Sequence, residues 1–417
     1  MKKQLFINVV SPVDSQPFEV VERKGIGHPD TLADGVAEAV SINYSRFCLK
    51  NFGAVLHHHF DKTLIMGGQA KIDFGVGEMI KPFRLIINGR VSSVFGDKKI
   101  DFQEIQEKAA KEYLKSTLPH LDVDKWVKIK SFSTSYSKSP VWYKPRSLDD
   151  LPEFKTPFIN DSSAIVSFWP LSSAEKLVLE MEKYFYDDNK NPKFNYIGHD
   201  IKILAIRSFK NINLTLCVPF ISANIPNRSY YIDKSNFIQT ELRNTAQNLL
   251  GGKFNININL NTQDFSLLGN PQKRSKNVRD FYFSTSGSAL DYGEEGVVGR
   301  GNKSRGLISC LRPFSTDAIH GKNPSFHVGK VYAYFTDQIS KAVAEELECE
   351  CTVILVSQNK KPINSPLKII INISKKRNEK KIKEIVEREL SKRDWIRKIV
   401  EDKYFLPSPG RYYGQED

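Results

Sequence analysis

The segment from Val21 to Ser41, VERKGIGHPDTLADGVAEAVS, constrains this chain most, because a glycine-spaced His-Pro-Asp stands directly before a helical pattern. Gly25 and Gly27 admit backbone torsions closed to other residues, and Pro29 biases His28 away from helical geometry. His28 and Asp30 are therefore expected where the chain turns into the helix, with Ala33, Val36, Ala37 and Val40 forming its core-facing stripe. Such a loop aims an imidazole and a carboxylate at a ligand. The plainer alternative makes Asp30 an N-terminal helix residue favoured by the dipole, with Asp34 and Glu38 on a solvated face.

A chain of 417 residues can bury two or three hydrophobic cores without disulfide or metal staples. The five cysteines are too few and too scattered for a disulfide framework, and no charged-then-apolar signal segment opens the chain, so a reduced, cytoplasmic protein is expected. Cys349 and Cys351 alternate on a strand-like run and lack the partners that zinc needs. No apolar stretch approaches the ~20 residues that cross a bilayer. A net charge of +13 favours anionic partners, nucleic acid or a polyphosphate nucleotide, and does not choose between them.

Strand patterns at Gln4 to Val10, Ala54 to His59, Thr63 to Met66 and Phe83 to Ile87 alternate with helices after Asp30 and at Gln103 to Ser116. Residues 131–163 read as a long functional loop. A helix at Ala174 to Tyr186 and strands at Ile201 to Ile206 and Leu214 to Pro219 follow, then a helix at Ser235 to Leu250 and a strand at Phe254 to Leu260. A glycine-rich stretch from Gly287 to Gly306, a helix at Val328 to Glu348 and a strand at Thr352 to Val356 complete the order. The predicted class is α/β, in sections 1–130, 131–253 and 254–417, each a mixed sheet backed by helices. Lys375 to Lys403 reads as a surface helix pair with Ile382, Ile385, Val386, Leu390, Trp395 and Ile399 on one apolar face; a nucleic-acid arm is the alternative.

Three further clusters set a cation beside glycines: Asp61-Lys62 before Gly67-Gly68-Gln69, DYGEEGVVGRGNK at 291–303, and HGKNPSFHVGK at 320–330. Glycine lets backbone N–H groups approach phosphate oxygens, and Arg300 and Lys322 supply charge. Neither the P-loop nor the dinucleotide fingerprint is present, since Asn323 follows Gly321-Lys322 and no G-x-G-x-x-G opens a helix. His57, His58 and His59 look like a metal cluster, yet consecutive strand residues point to opposite faces and cannot converge on one ion.

Taken in order, the four clusters, with Asn160-Asp161-Ser162-Ser163 and Asp200-Ile201-Lys202, resemble the S-adenosylmethionine synthetases of the archaeal type over nearly the whole chain. The resemblance implies three interlocked α/β sections in a pseudo-threefold arrangement and a homodimer with shared active sites. It implies that methionine sulfur attacks C5′ of ATP and that the released tripolyphosphate is cleaved to pyrophosphate and phosphate. It places His28 by the 5′ oxygen, Mg²⁺ on Asp30, and tripolyphosphate on Lys202, Arg300 and Lys322, while K⁺ stays open as a further cation. Substrate contacts are carried over to Asp61, Lys62, Gln69, Asp161, Asp200, Glu294, Asn302 and Asn323, with Asp200 as orienting partner of Lys202. ATP and L-methionine are then the expected partners, not nucleic acid or membrane.

The sequence departs from the family pattern at Phe60, at Ser167-Phe168-Trp169, at Glu294 and at Phe326. These substitutions are expected beside the site. They motivate two rival readings: a catalytically weakened paralogue serving as a regulatory subunit, and an enzyme that takes a methionine analogue.

Overall fold

The computed structural model describes residues 4–186, 194–264 and 278–415. Its principal elements are β1 (Leu5–Val9), β2 (Phe18–Lys24), α1 (Pro29–Phe52), β3 (Leu64–Met66), β4 (Phe83–Ile87), α2 (Phe102–Thr117) and β5 (Val127–Ser131). After the long loop come β6 (Ala164–Trp169), α3 (Ser173–Lys183), β7 (Lys202–Ser208), β8 (Asn211–Cys217), α4 (Arg228–Leu250) and β9 (Asn255–Leu260). The last part holds β10 (Glu295–Val297), α5 (Val328–Leu347), β11 (Cys351–Val356), β12 (Lys368–Ile373), α6 (Glu379–Ser391) and α7 (Trp395–Val400).

Three times the chain runs strand, helix, antiparallel strand pair, helix. The pairs are β3 with β4, β7 with β8 and β11 with β12. In the first two units the strand after the second helix returns parallel to the pair, β5 beside β4 and β9 beside β8. In the third, β1 from the other end of the chain takes that place beside β12. The leading strand of each unit leaves its own sheet: β2 pairs with β7, β6 with β11, and β10 with β3. This cyclic exchange interlocks the three mixed sheets, and each has its own apolar core. No described helix is long and apolar enough to cross a membrane.

Most sequence-derived elements lie within a few residues of their predicted places. The strand expected at Ala54 to His59 is an exception: α1 ends at Gly53, in the left-handed conformation at φ 74°, and only His58–His59 form a ladder. Ala54, Val55 and Leu56 are buried by side-chain packing without that pairing. The apolar face predicted for the charged C-terminal tract is buried, from Ile382 to Ile399. Lys383–Glu387 and Lys398–Asp402 supply ion pairs on its exposed side.

Candidate active site

His28 is the N-cap of α1, and its Nδ1 accepts the Asp30 N–H at 3.1 Å. In the neutral ring the proton must then sit on Nε2, which is left as a donor. Burial, reinforced by the Lys24 charge, pulls the His28 pKa down to about 4, so the ring is neutral at neutral pH. Asp30 lies in the first turn of the same helix. Its Oδ2 is 2.9 Å from Lys24 Nζ and its Oδ1 accepts the Val297 N–H at 3.1 Å.

The strand register puts Lys202 opposite Lys24, with the half-exposed Lys202 ammonium 3.5 Å from Glu22. Lys24 Nζ also donates to the Arg300 carbonyl at 2.8 Å, and the Arg300 side chain is exposed. Burial lowers the pKa of Lys303, whose charged neighbours include Lys24, Asp30 and Arg300. Four cations thus gather at a helix amino terminus, where the dipole adds to their attraction for anions. Asn302, expected to bind substrate, clasps the Lys24 backbone, accepting its N–H at 3.0 Å and donating to its carbonyl at 2.8 Å.

Asp34 and Glu38, one and two turns along, are each only 1% exposed. The solvated-face reading fails because both glycine-rich segments cover this side of the helix. Asp34 Oδ1 accepts the Gly299 N–H at 2.8 Å and lies 3.2 Å from His320 Nδ1. Glu38 Oε2 accepts the Gly321 N–H at 3.0 Å and pairs with Lys330 Nζ. A Cβ on Gly296 would run into the Pro29 carbonyl, and one on Gly301 into the Asp34 carboxylate. These glycines therefore serve close packing on α1, and the amides of Gly299 and Gly321 face carboxylates of the protein, not a phosphate cradle.

A second polar group surrounds Asp61. Its Oδ1 is 2.8 Å from His59 Nδ1 and its Oδ2 3.0 Å from Lys62 Nζ. Burial works to raise the Asp61 pKa, but His59, Lys62 and the nearby Lys322 hold it well below the usual carboxylate range. Lys322 is 3% exposed, and its ammonium is held by Asp317. Asn323 is fully buried, donating to the Leu56 carbonyl at 2.9 Å and accepting the Ser325 N–H at 2.8 Å.

The histidine run diverges as its alternation predicts. His57 binds Glu153 at 2.7 Å, His58 binds Ser41 at 2.8 Å, and His59 turns to Asp61. Among the described residues no three His, Cys, Asp or Glu side chains gather to hold a metal.

Gln69 and Glu294 are both exposed, and their segments are joined by the Gly67 N–H to Glu294 carbonyl bond at 2.7 Å. Asp200 is buried, and burial pushes its pKa up to about 7. Its carboxylate accepts the Ala289 N–H at 2.7 Å, so it orients the 287–294 segment while Lys202 turns to Glu22. Asp161 stands apart on the 131–163 loop, exposed, accepting the N–H of its neighbour Ser162 at 2.7 Å.

The substitutions expected beside the site are mostly taken into cores. Phe60 is fully buried and stacks on His58 at 5.3 Å, while Trp169 packs against Tyr412 at 5.0 Å and under the Arg305 guanidinium. Phe326 meets His57 at 4.9 Å. Sequence reasoning missed Lys24, Lys303, Asp317, His320 and Lys330, and gave Asp34 and Glu38 no part beyond the solvated-face alternative. The four-residue spacing of Asp30, Asp34 and Glu38 on one helix face was the available signal.

Residues 5–403 match the family model of S-adenosylmethionine synthetase (AdoMet synthetase). The chain is 35% identical over 368 residues to the S-adenosylmethionine synthase of Pyrococcus furiosus, covering 88% of this chain and 87% of that one. It is 34% identical over 387 residues to a probable S-adenosylmethionine synthase of Aquifex aeolicus, covering 91% and 93%. An uncharacterized protein of Streptococcus pyogenes serotype M1 is 34% identical over 411 residues, covering 95% and 96%. Among solved structures, an unusual S-adenosylmethionine synthetase from Campylobacter jejuni shares the fold with a TM-score of 0.56 over 96% of each chain, at 15% identity.

Proposed function

The chain belongs to the S-adenosylmethionine synthetase family, and from that premise we propose that it is a methionine adenosyltransferase working at the amino end of α1. The thioether sulfur of L-methionine donates its lone pair to C5′ of ATP. The C5′–O bond breaks, its electrons leave with tripolyphosphate, and a sulfonium remains. Water then splits tripolyphosphate into pyrophosphate and phosphate. The observation that carries this reading is a neutral His28 with a free Nε2 donor, set among Lys24, Lys202, Arg300 and Lys303.

The difficulty of the reaction is charge growing on the leaving chain. Donors fixed before the reaction stabilise that charge more than they stabilise bound ATP. His28 Nε2 would donate to the oxygen that leaves C5′, and Lys202, Arg300 and Lys322 would hold the phosphates, with Lys322 exchanging Asp317 for substrate. Asp30 suits Mg²⁺ as a single protein carboxylate whose charge Lys24 now balances; phosphate oxygens and water commonly fill the ion's other positions. When bound, Mg²⁺ neutralises part of the phosphate charge. Glu294 and Gln69, exposed on joined segments, are assigned to substrate contacts with Asp61 and Lys62. Asp200, Asn302 and Asn323 support them from beneath.

A homodimer with shared sites is part of the proposal. Phe6, Val9, Phe18 and Phe209 are exposed apolar side chains that a second copy would cover, and Asp161 is exposed on the 131–163 loop. Inactive His28→Ala and Asp161→Ala chains, refolded together, should recover about one quarter of wild-type activity, as random pairing in a twofold dimer requires.

The deciding experiment incubates purified protein with ATP, methionine and Mg²⁺ and measures the sulfonium by mass, with pyrophosphate and phosphate in equal amounts. Sulfonium from an S-alkyl homocysteine alone would point to the analogue reading. No sulfonium from the chain alone, restored by an active partner, would favour the regulatory subunit.

A further inference from the structure

We propose that Asp34 and His320 are positioning residues for this reaction: one carboxylate oxygen ties the Arg300 segment to the Lys322 segment and so fixes the spacing of their two cations. The inference rests on the adenosyl-transfer reading above. Asp34 Oδ1 accepts the N–H of Gly299, one residue before Arg300, at 2.8 Å. The same oxygen lies 3.2 Å from Nδ1 of His320, two residues before Lys322. Each segment also has an anchor of its own on α1, Val297 on Asp30 and Gly321 on Glu38. Asp34 Oδ1 is shared by both.

The surroundings leave little to replace this tie. Asp34 and His320 are 1% and 2% exposed. Their other polar atoms, Asp34 Oδ2 and His320 Nε2, are buried without hydrogen-bond partners among the described residues, so neither offers a second polar tie between the segments. The His320 ring abuts Tyr413 at 5.4 Å, and Gly301 lies against the Asp34 carboxylate. A cavity of about 30 Å³ lies between the segments, with Gly299, Lys303, Asp317 and His320 in its wall. Once the tie is cut, the segments can relax into that space. A displacement of the order of 1 Å at a reacting group can cost about a hundredfold in rate, and here it would fall on the groups that hold tripolyphosphate.

The test uses the full-length protein and inorganic tripolyphosphate as probe, with His320→Ala, His320→Asn and His320→Gln compared. An Asn amide nitrogen sits where His Nδ1 sits, whereas that of Gln reaches farther out, toward the Nε2 position. We expect His320→Ala and His320→Gln to slow tripolyphosphate hydrolysis roughly tenfold or more and to weaken tripolyphosphate binding by calorimetry, with the methionine KM unchanged within about twofold. His320→Asn should recover hydrolysis to within about threefold of wild type, and Asp34→Ala should add little on top of His320→Ala, as coupled residues do.

A merely structural role predicts losses of Tm without the Asn-over-Gln order and without a split between hydrolysis and methionine KM, and that result overturns the proposal. If wild type makes sulfonium and the three variants behave alike, the positioning role falls and the reaction stands. Should wild type make no sulfonium yet bind tripolyphosphate in the stated order of variants, the reaction falls and the positioning role stands.

Discussion

The amino end of α1 and the two turns that follow it carry the same residue type at regular spacing, yet they sit in opposite surroundings. At the end, Asp30 faces a group of cations of which Arg300 is exposed and Lys202 half-exposed. Further along, Asp34 and Glu38 are sealed under the glycine-rich segments, with Gly299, His320, Gly321 and Lys330 as their partners. Asp30, 8% exposed and paired with Lys24, borders cations that reach solvent, whereas Asp34 and Glu38 are 1% exposed. For the two sealed acids, removing either member of a pair strands the other in a low dielectric. The helix therefore divides its acids by depth: one at the mouth, which the proposed function assigns to Mg²⁺, and two sealed within.

The largest expected effect tests the inner half of that division. Glu38→Ala leaves Lys330 buried and unpaired, and should cost about 3–5 kcal/mol of stability, read by denaturant unfolding. A loss under about 1 kcal/mol would mean that the buried pair is not structural. At the mouth the balance should invert. Asp30→Asn keeps the shape but removes the charge, and should lower kcat by about a hundredfold or more at saturating Mg²⁺, while the midpoint of thermal unfolding moves little. Full turnover in this variant would remove Asp30 as the metal-holding residue.

Arg300→Ala sharpens the comparison, since its side chain is exposed and its backbone alone meets Lys24. Sulfonium formation and tripolyphosphate hydrolysis should both fall, by roughly ten- to a hundredfold, the range of one preorganised charge contact, with stability unchanged. Loss of methionine affinity alone would place Arg300 elsewhere.

A pH-dependent effect concerns Asp200, whose pKa burial raises to about 7. Because the folded state holds this proton more tightly than the unfolded chain, wild type should lose stability as pH rises from about 4 to about 7 and then level off. Asp200→Asn has no such proton to lose. Its stability relative to wild type should therefore climb over the same window, by about 1.4 kcal/mol for each unit that separates the folded and unfolded pKa values. A pH-independent difference would show that the carboxyl ionises normally.

Much of this was legible beforehand. Pro29 after a histidine and two glycines marks a helix start whatever surrounds it, and His28 is indeed the cap. The three histidines, read as unable to converge on one point, take different partners. The glycines misled, for a physical reason: an open amide near phosphate and a backbone pressed against a helix demand the same missing Cβ. Only the packing of Gly296 and Gly301 on α1 separates the two. The aromatic substitutions misled similarly, since a bulky residue near a motif in sequence can point into the core, as Phe60 does.

What the sequence determined by itself are the features encoded within a few residues: the capped start of α1, the helix and strand periods, the apolar face of the C-terminal tract. Family membership too is a matter of residue order. The tertiary structure alone decided which carboxylates are sealed and which stay at the helix mouth, because burial depends on segments more than 250 residues away along the chain folding over the helix, as Gly299 and Gly321 do. It also decided that β2, β6 and β10 leave their own units for a neighbour's sheet. A strand's hydrogen-bond edge is the same for every partner, so pairing is settled by what the whole chain can pack, not by the strand's own residues.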